Sequence, residues 1–179
     1  PNNNKKNDKL NIVTTTFSSY DFARQIVGNK AEVIFLLGPG VDSHSYEPSA
    51  KDLATIKNAD IFIYIGGEME QWVDKILETD TINTDKTTLI HVTECIETIE
   101  EQEVDGAEEE HHHHDEVENE DEDEHDEDHG SGAFDEHIWT SPSNAIKMVK
   151  YLSEHFCNLD KENKDIYQKN AEDYIKQIE

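Results

Sequence analysis

The sequence contains only two cysteines, Cys95 and Cys157, among its 179 residues. They lie too far apart for a CxxC motif, which excludes a zinc or redox centre of that type. A single disulfide and two separate thiols are the two alternatives for this pair, and we favour two thiols.

Long apolar runs are also missing from the sequence. No run approaches the ~18 residues that a membrane span requires, and no signal peptide is visible. Residues 1–9 are polar and predict a flexible leader of the kind that follows a removed signal or a lipid anchor. Hydrophobic residues make up 34% of the chain. Outside one acidic stretch the apolar runs are strong enough for a single folded core.

Positive charge is scarce, with 15 Lys and Arg against 42 Asp and Glu, and the net charge is −27. Residues 105–129 hold 15 of the carboxylates and no basic residue, so the rest of the chain carries −12. Because both parts are acidic, the charge argues against nucleic acid and anionic membrane surfaces as partners. Cations are the natural counterpart of such a chain.

Short β-rich runs alternate with helical patterns along the first half of the chain. Strands are predicted at 10–16, 31–37, 61–65 and 88–92, and helices at 17–27, from about 50 and at 70–77. This order predicts an α/β fold, a four-stranded parallel sheet flanked by helices and joined by right-handed crossovers. Ser18 or Ser19 is expected to cap the first helix, and Ser49 the second.

Two more helices are predicted near the end of the chain. One begins at Ser141, with Pro142 in its first turn. The other runs from about residue 161 to 179. Its inward-facing positions are expected to be Ile166, Tyr167, Ala171, Tyr174, Ile175 and Ile178.

Two histidines follow strands of the predicted sheet. His44 follows the second strand, beyond Gly38-Pro39-Gly40, and His137 follows the fourth strand after a long excursion. Ligands of parallel sheets lie outside the carboxyl ends of the strands, so we expect both imidazoles at one edge. Neutral imidazole is a good ligand for Zn²⁺, which takes four ligands in a tetrahedron. Mn²⁺ prefers more oxygen ligands and fits these residues less well.

A separate group of histidines lies within the acidic stretch: His111, His112, His113, His114, His125 and His129. Near pH 7 most such imidazoles are neutral and able to bind metal, since their reference pKa is ~6.5. The stretch has too little apolar content to fold alone. We therefore predict a disordered arm with weak, multiple and exchangeable metal binding. The alternative is a solvated acidic linker whose histidines matter little.

Three acidic residues are candidates for orienting the His44 imidazole. Asp42 and Glu47 flank His44, and Glu68 follows the third strand. Each has a carboxylate that can accept a hydrogen bond from a metal-binding histidine, although a solvent-facing carboxylate is the commoner case. His91 and His155 are expected to be structural or surface residues.

Two motifs resemble the metal-ligand loops of the metal-binding solute receptors of ABC importers. The first is Gly38-Pro39-Gly40-Val41-Asp42-Ser43-His44-Ser45-Tyr46-Glu47-Pro48-Ser49, and the second is Asp135-Glu136-His137-Ile138-Trp139, followed by Ser141-Pro142. Asn58-Ala59-Asp60 fits the same family, and residues 164–179 resemble the start of the long helix that joins its two lobes. The resemblance spans about residues 10–179. A His-rich acidic insert before the second motif is similar to the zinc-specific members.

The resemblance implies one lobe of a two-lobe metal-receptor fold, with His44 and His137 as two of the Zn²⁺ ligands. It implies that a carboxyl-terminal lobe, which lies beyond this chain, supplies the others, and that the partner is an ABC permease. The location would be extracytoplasmic, either periplasmic or lipid-anchored on the outer face of the membrane. The expected divisions are a leader (1–9), the α/β lobe (10–104), the His-rich loop (105–133), the second ligand loop with its helix (134–157) and the linker helix (158–179).

Two other functions are set against that of a receptor. One is a stand-alone zinc buffer or chaperone that acts through the His-rich arm. The other is a zinc hydrolase, which would need an open metal position and a general base. The sequence contains no HExxH motif, no nucleophile elbow and no P-loop, so we expect no enzymatic activity.

Overall fold

The computed structural model describes residues 9–79, 81–96 and 138–179. The strands are β1 (Asn11–Thr14), β2 (Glu32–Phe35), β3 (Ile61–Tyr64) and β4 (Thr88–His91). The helices are α1 (Phe17–Val27), α2 (Ala50–Lys57), α3 (Gln71–Leu77), α4 (Pro142–Leu159) and α5 (Lys164–Ile178). Short 3₁₀ turns cover Gly67–Glu70 and Ile138–Thr140.

The four strands of the described residues form one parallel sheet in the order β2-β1-β3-β4. In its register Val13 lies beside Ile34 of β2 and Phe62 of β3. The predicted α/β fold with a four-stranded parallel sheet and flanking helices is therefore confirmed. All the strands end at the same edge, so the loops that follow them are neighbours.

Helices cover both faces of the sheet, because apolar side chains on alternate strand positions point to opposite sides. Ile12, Ile61 and Ile63 pack on one side against α1, α4 and α5. Val13 and Phe62 pack on the other side, against residues of α2 and α3. Each fully buried Ile stabilises the fold by about 1.5–3 kcal/mol.

Thr16, and not Ser18 or Ser19, caps α1. Its side-chain oxygen accepts a hydrogen bond from the backbone N–H of Ser19 at 3.4 Å. The strand ends earlier than predicted, at Thr14, so the extended residue before the helix is Thr16. The Ser49 cap of α2 is confirmed, with a reciprocal bond from the Ser49 N–H to the Asp52 carboxylate.

The last helix begins three residues later than predicted. Asp160 accepts hydrogen bonds from the backbone N–H and side-chain amide of Asn163, which hold residues 160–163 in a turn. Tyr167 and Ala171 are buried as expected. Ile166 is 40% exposed, so its predicted inward orientation is wrong. It is offset by about 100° from Tyr167 around the helix, and only the Tyr167 side faces the core.

Cys95 and Cys157 are free thiols, and both are buried. This agrees with two separate thiols and excludes the disulfide in this structure. Within the described ranges, no helix is long and apolar enough to cross a membrane.

Candidate metal centre

His44 lies in the loop between β2 and α2, at the edge where the strands end, and its side chain is exposed. Asp42 stabilises the conformation of this loop. Its carboxylate accepts hydrogen bonds from the Ser45 hydroxyl at 2.7 Å and from the His44 backbone N–H at 3.2 Å. These bonds hold the pKa of Asp42 below its usual range. The hydrogen bonds of Asp42 in this loop thus reach the backbone of His44 and the Ser45 hydroxyl.

The far side of the loop is fixed by Tyr46. Its ring lies edge to face against Trp72, with ring centroids 5.0 Å apart. Burial and a hydrogen bond to Asp52 raise the pKa of Tyr46 to about 12. Asp52 also belongs to the cap at the start of α2. Its hydrogen bond with Tyr46 therefore connects the His44 loop to that helix.

The imidazole of His44 contacts the backbone of Glu68. Nδ1 of His44 lies 3.3 Å from the Glu68 carbonyl oxygen. A carbonyl oxygen only accepts, so Nδ1 carries the proton in this bond and Nε2 keeps its lone pair in the neutral ring. A ring held in this way, with a backbone carbonyl on one nitrogen, is the usual arrangement of a metal-binding histidine.

Glu68 belongs to a turn whose start is held by Glu70 and His91. The sequence pattern predicted neither of them as a site residue. Glu70 is fully buried, and its carboxyl oxygen accepts the backbone N–H groups of Ile65 and Gly66 at 2.8 and 3.0 Å. Nε2 of His91 lies 2.6 Å from the Ile65 carbonyl oxygen. This contact gives His91 a structural role, one of the two alternatives, structural or surface, expected for it. Glu70 shares a helical face with the apolar Val73 and Leu77, which is the signal that indicates its burial.

A cleft of about 470 Å³ opens at the same edge of the sheet. Residues that follow three different strands line it, among them Thr15 after β1, Val41 after β2 and Met69 after β3. Trp139, two positions after His137 in the chain, lines it too. The cleft thus brings the first histidine loop together with the residues directly after the second histidine.

The other predicted site residues have different outcomes. His111, His112, His113, His114, His125, His129 and His137 lie outside the described residues. Glu47 is exposed and makes no hydrogen bond or ion pair to any described residue. His155 lies on α4 against the ring of Tyr151, and burial lowers its pKa. Over 9–79, 81–96 and 138–179, no group of three or more His, Cys, Asp or Glu could hold a metal ion.

A family described as ZnuA, zinc-uptake complex component A, periplasmic, matches residues 12–179 of the chain. The zinc-binding lipoprotein AdcA of Streptococcus pneumoniae is 38% identical over 182 residues, covering 99% of this chain and 32% of the relative. The high-affinity zinc uptake system protein ZnuA of Bacillus subtilis is 37% identical over 174 residues, covering 97% of this chain and 50% of the relative. The chain thus spans a third to a half of the length of these relatives.

Solved structures agree with these similarities. The Zn(II)-bound ZnuA-like domain of Streptococcus pneumoniae AdcA superposes with a TM-score of 0.68 at 35% identity, covering 95% of this chain and 52% of that domain. The periplasmic zinc-binding protein TroA from Treponema pallidum has a TM-score of 0.71 at 22% identity, covering 95% of this chain and 51% of that protein. The TroA match supports the fold alone.

Proposed function

Because the chain belongs to the ZnuA family of periplasmic zinc-uptake components, we propose that it is the amino-terminal lobe of a receptor that captures Zn²⁺ outside the cytoplasm and delivers it to an ABC permease. Zn²⁺ is the cargo of this function and Mn²⁺ the less suitable ion. The receptor is periplasmic or lipid-anchored. Its role is binding and not catalysis.

The observation that carries this proposal is the state of His44. Its Nδ1 is engaged by the Glu68 carbonyl at 3.3 Å, and its exposed ring stands at the edge where the strands end. Nε2 therefore has a lone pair with which it can coordinate a metal ion. Imidazole nitrogen suits Zn²⁺, with a bond of about 2.0–2.1 Å.

His137 is the second ligand in this proposal. Trp139 lines the cleft beside the His44 loop, and consecutive Cα atoms are ~3.8 Å apart. This short span along the chain supports a common site for the two histidines. Two ligands do not satisfy Zn²⁺, so the remaining ligands come from residues beyond this chain, in a second lobe. The relatives' greater length is consistent with this division.

The His-rich arm has an auxiliary role in the proposal. His111 to His114, with His125 and His129, gather Zn²⁺ weakly and reversibly, while the acidic residues around them attract the ion. Asp42 shapes the backbone at His44. Glu47 has no direct part in this proposal, because it is exposed and makes no hydrogen bond or ion pair to a described residue.

A zinc titration against a competing chelator tests the proposal. The background is a chain in which residues 106–130 are replaced by a short Gly-Ser linker, which removes the weak sites. Against this background, His44→Ala and His137→Ala should each weaken Zn²⁺ binding by at least about tenfold. Loss of a direct ligand should cost no less than the 10–100-fold typical of its outer partners.

The matched control is His155→Ala, which removes a histidine that packs on Tyr151 away from the loop. It should leave the affinity unchanged. In cells, a full-length protein that carries this chain should restore growth in zinc-depleted medium, and its His44→Ala form should not. Equal Zn²⁺ affinities of the parent and both ligand variants would contradict the proposed site.

A further inference from the structure

We propose that Glu70 and His91 are positioning residues that together clamp the Ile65–Gly66 peptide and, through the Glu68 carbonyl, set the tautomer and direction of the His44 ring. The inference rests on the proposed function, because it gives the clamp the task of preparing His44 to bind Zn²⁺. We name these residues the Glu70–His91 clamp.

Glu70 binds the backbone N–H groups of Ile65 and Gly66. The residue has no exposed surface, and its Oε2 accepts the N–H of both Ile65 and Gly66. Burying a carboxyl group is costly unless hydrogen bonds compensate for the lost water. Hydrogen bonds from two adjacent N–H groups to Oε2 offset part of that cost and fix where the backbone leaves β3.

His91 holds the same peptide from the carbonyl side. Its Nε2 donates to the Ile65 carbonyl at 2.6 Å, and Thr93 Oγ1 lies 2.8 Å from the same nitrogen. The ring stacks on Tyr64 with an interplanar angle of 6° and centroids 5.0 Å apart. Gly66 has φ +77°, and a Cβ there would come within 3.0 Å of His91 Nε2. Only glycine fits between the ring and this turn.

The clamp acts on His44 through the Gly67–Glu70 turn, which contains Glu68. The Glu70 carboxyl group ties the end of the Gly67–Glu70 turn to Gly66 just before it. Met69 inside the turn is buried. The carbonyl of Glu68 therefore has a fixed direction toward His44. At 3.3 Å the bond to Nδ1 is already long, so a shift of a few tenths of an ångström in the turn breaks it.

Breaking this bond changes what His44 presents to a metal ion. With the Glu68 carbonyl in place, the proton stays on Nδ1 and Nε2 is free. Without it, the ring rotates and exchanges tautomers, so part of the population presents a protonated Nε2. Loss of outer partners of metal-binding histidines typically weakens metal binding by 10–100-fold.

The direct test is the His44 tautomer in the metal-free chain, read from imidazole ¹⁵N shifts and assigned by comparison with His44→Ala. The parent should show the Nδ1–H form. Glu70→Ala and His91→Phe should each convert it to a mixture, although His91→Phe keeps an aromatic ring on Tyr64. Glu70→Gln retains a carbonyl acceptor and should restore most of the Nδ1–H form. If Glu70→Ala does not fold, His91→Phe carries the test.

Zn²⁺ affinity is the second readout, with Ile76→Ala as the control. Ile76 is a buried residue of α3 outside the clamp, so its truncation lowers stability but should leave both tautomer and affinity unchanged. The clamp variants should lose about 10–100-fold in affinity. An unchanged tautomer in Glu70→Ala and His91→Phe overturns the inference. The inference is also overturned if His44→Ala weakens Zn²⁺ binding, while the clamp variants change the tautomer but keep the Zn²⁺ affinity of the parent. If His44→Ala leaves binding intact, the proposed zinc site fails, while the tautomer still reports separately on the positioning.

Discussion

The Nδ1 atom of His44 lies 3.3 Å from the carbonyl oxygen of Glu68, a residue 24 positions further along the chain. The partner is a backbone atom, and the Glu68 side chain is not part of this bond. The contact joins the loop after β2 to the turn after β3. Any residue at position 68 supplies the same accepting carbonyl.

Glu68→Ala should keep the Nδ1–H tautomer of His44, because the substitution leaves the accepting carbonyl in place. The ¹⁵N imidazole shifts of the variant should match those of the parent in the metal-free chain. Glu70→Ala provides the contrast, since it removes the group that fixes the turn. A tautomer change in Glu68→Ala as large as that in Glu70→Ala would show that the Glu68 side chain orients the ring.

Thr16→Ala should lower the free energy of unfolding by about 1 kcal/mol, because it removes the side-chain cap of α1. The Thr16 oxygen accepts the Ser19 N–H at 3.4 Å and lies 3.0 Å from the Ser19 hydroxyl. Ser18→Ala is the comparison and should cost less, because the Ser18 hydroxyl contacts Thr16 Oγ1 at 3.3 Å but caps no backbone N–H. Urea unfolding with an unchanged m-value measures both. A larger loss for Ser18→Ala would mean that the cap is assigned to the wrong residue.

The sheet and its helices could be predicted because they depend on side-chain pattern alone. Ile61 and Ile63 alternate with Phe62, and these two sets face different helix layers, as parallel strands buried on both sides require. Ile166 could not be placed in the same way. Apolar residues of the last helix are spread over more than one face, and only the packing of Tyr167 and Ala171 against the core decides which face is buried.

The site could be predicted only as far as its side chains. The position of His44 after a strand predicted the edge of the sheet at which His44 lies. The partner of its ring is a backbone carbonyl, and any residue type provides one, so no pattern in the sequence points to it. The contacts of Glu70 and His91 could not be predicted for the same reason, since both residues bind backbone atoms of Ile65. Such contacts depend on the path of the chain after β3.

Asp160 should make the stability of the fold depend on acidic pH. Burial alone would raise its pKa, but hydrogen bonds from Tyr167 and Asn163 outweigh this and lower the pKa below its ordinary value. A group with a lowered folded-state pKa contributes stability above its unfolded pKa of ~3.9, and that contribution is lost as the pH falls through the folded value. The Tyr167 hydroxyl donates to Asp160 at 2.7 Å.

Asp160→Asn should therefore destabilise the chain more at pH 7 than at pH 3. We expect Asp160→Asn to lower the free energy of unfolding by about 1 kcal/mol at pH 7. This is below the ~1.5–3 kcal/mol of hydrogen bonds to charged groups because Asp160 is only partly buried. Urea unfolding at both pH values measures it. Glu172→Gln, which changes an exposed carboxylate on α5, is the control. An equal effect of Asp160→Asn at the two pH values would show that the charge of Asp160 is unimportant.

The Cys95 thiol should be unreactive in the folded chain. It is 3% exposed, and burial raises its pKa to about 11. At pH 8 only about one thiol in a thousand is then ionised, against roughly a quarter for a free cysteine with a pKa of ~8.5. Cys157 is 6% exposed, and its thiol donates to the Lys164 carbonyl at 3.6 Å.

An aromatic disulfide reagent at pH 8 should consequently label neither cysteine of the native chain within minutes, and should label both once the chain is unfolded in urea. The Cys95→Ser and Cys157→Ser variants assign any residual reaction to one residue. Rapid, stoichiometric labelling of Cys95 in the native chain would mean that α4 separates from the sheet far more often than its fully buried Met148, Leu152 and Phe156 allow. Labelling of Cys157 alone would instead point to opening at the start of α5, because the Cys157 thiol donates to the Lys164 carbonyl there.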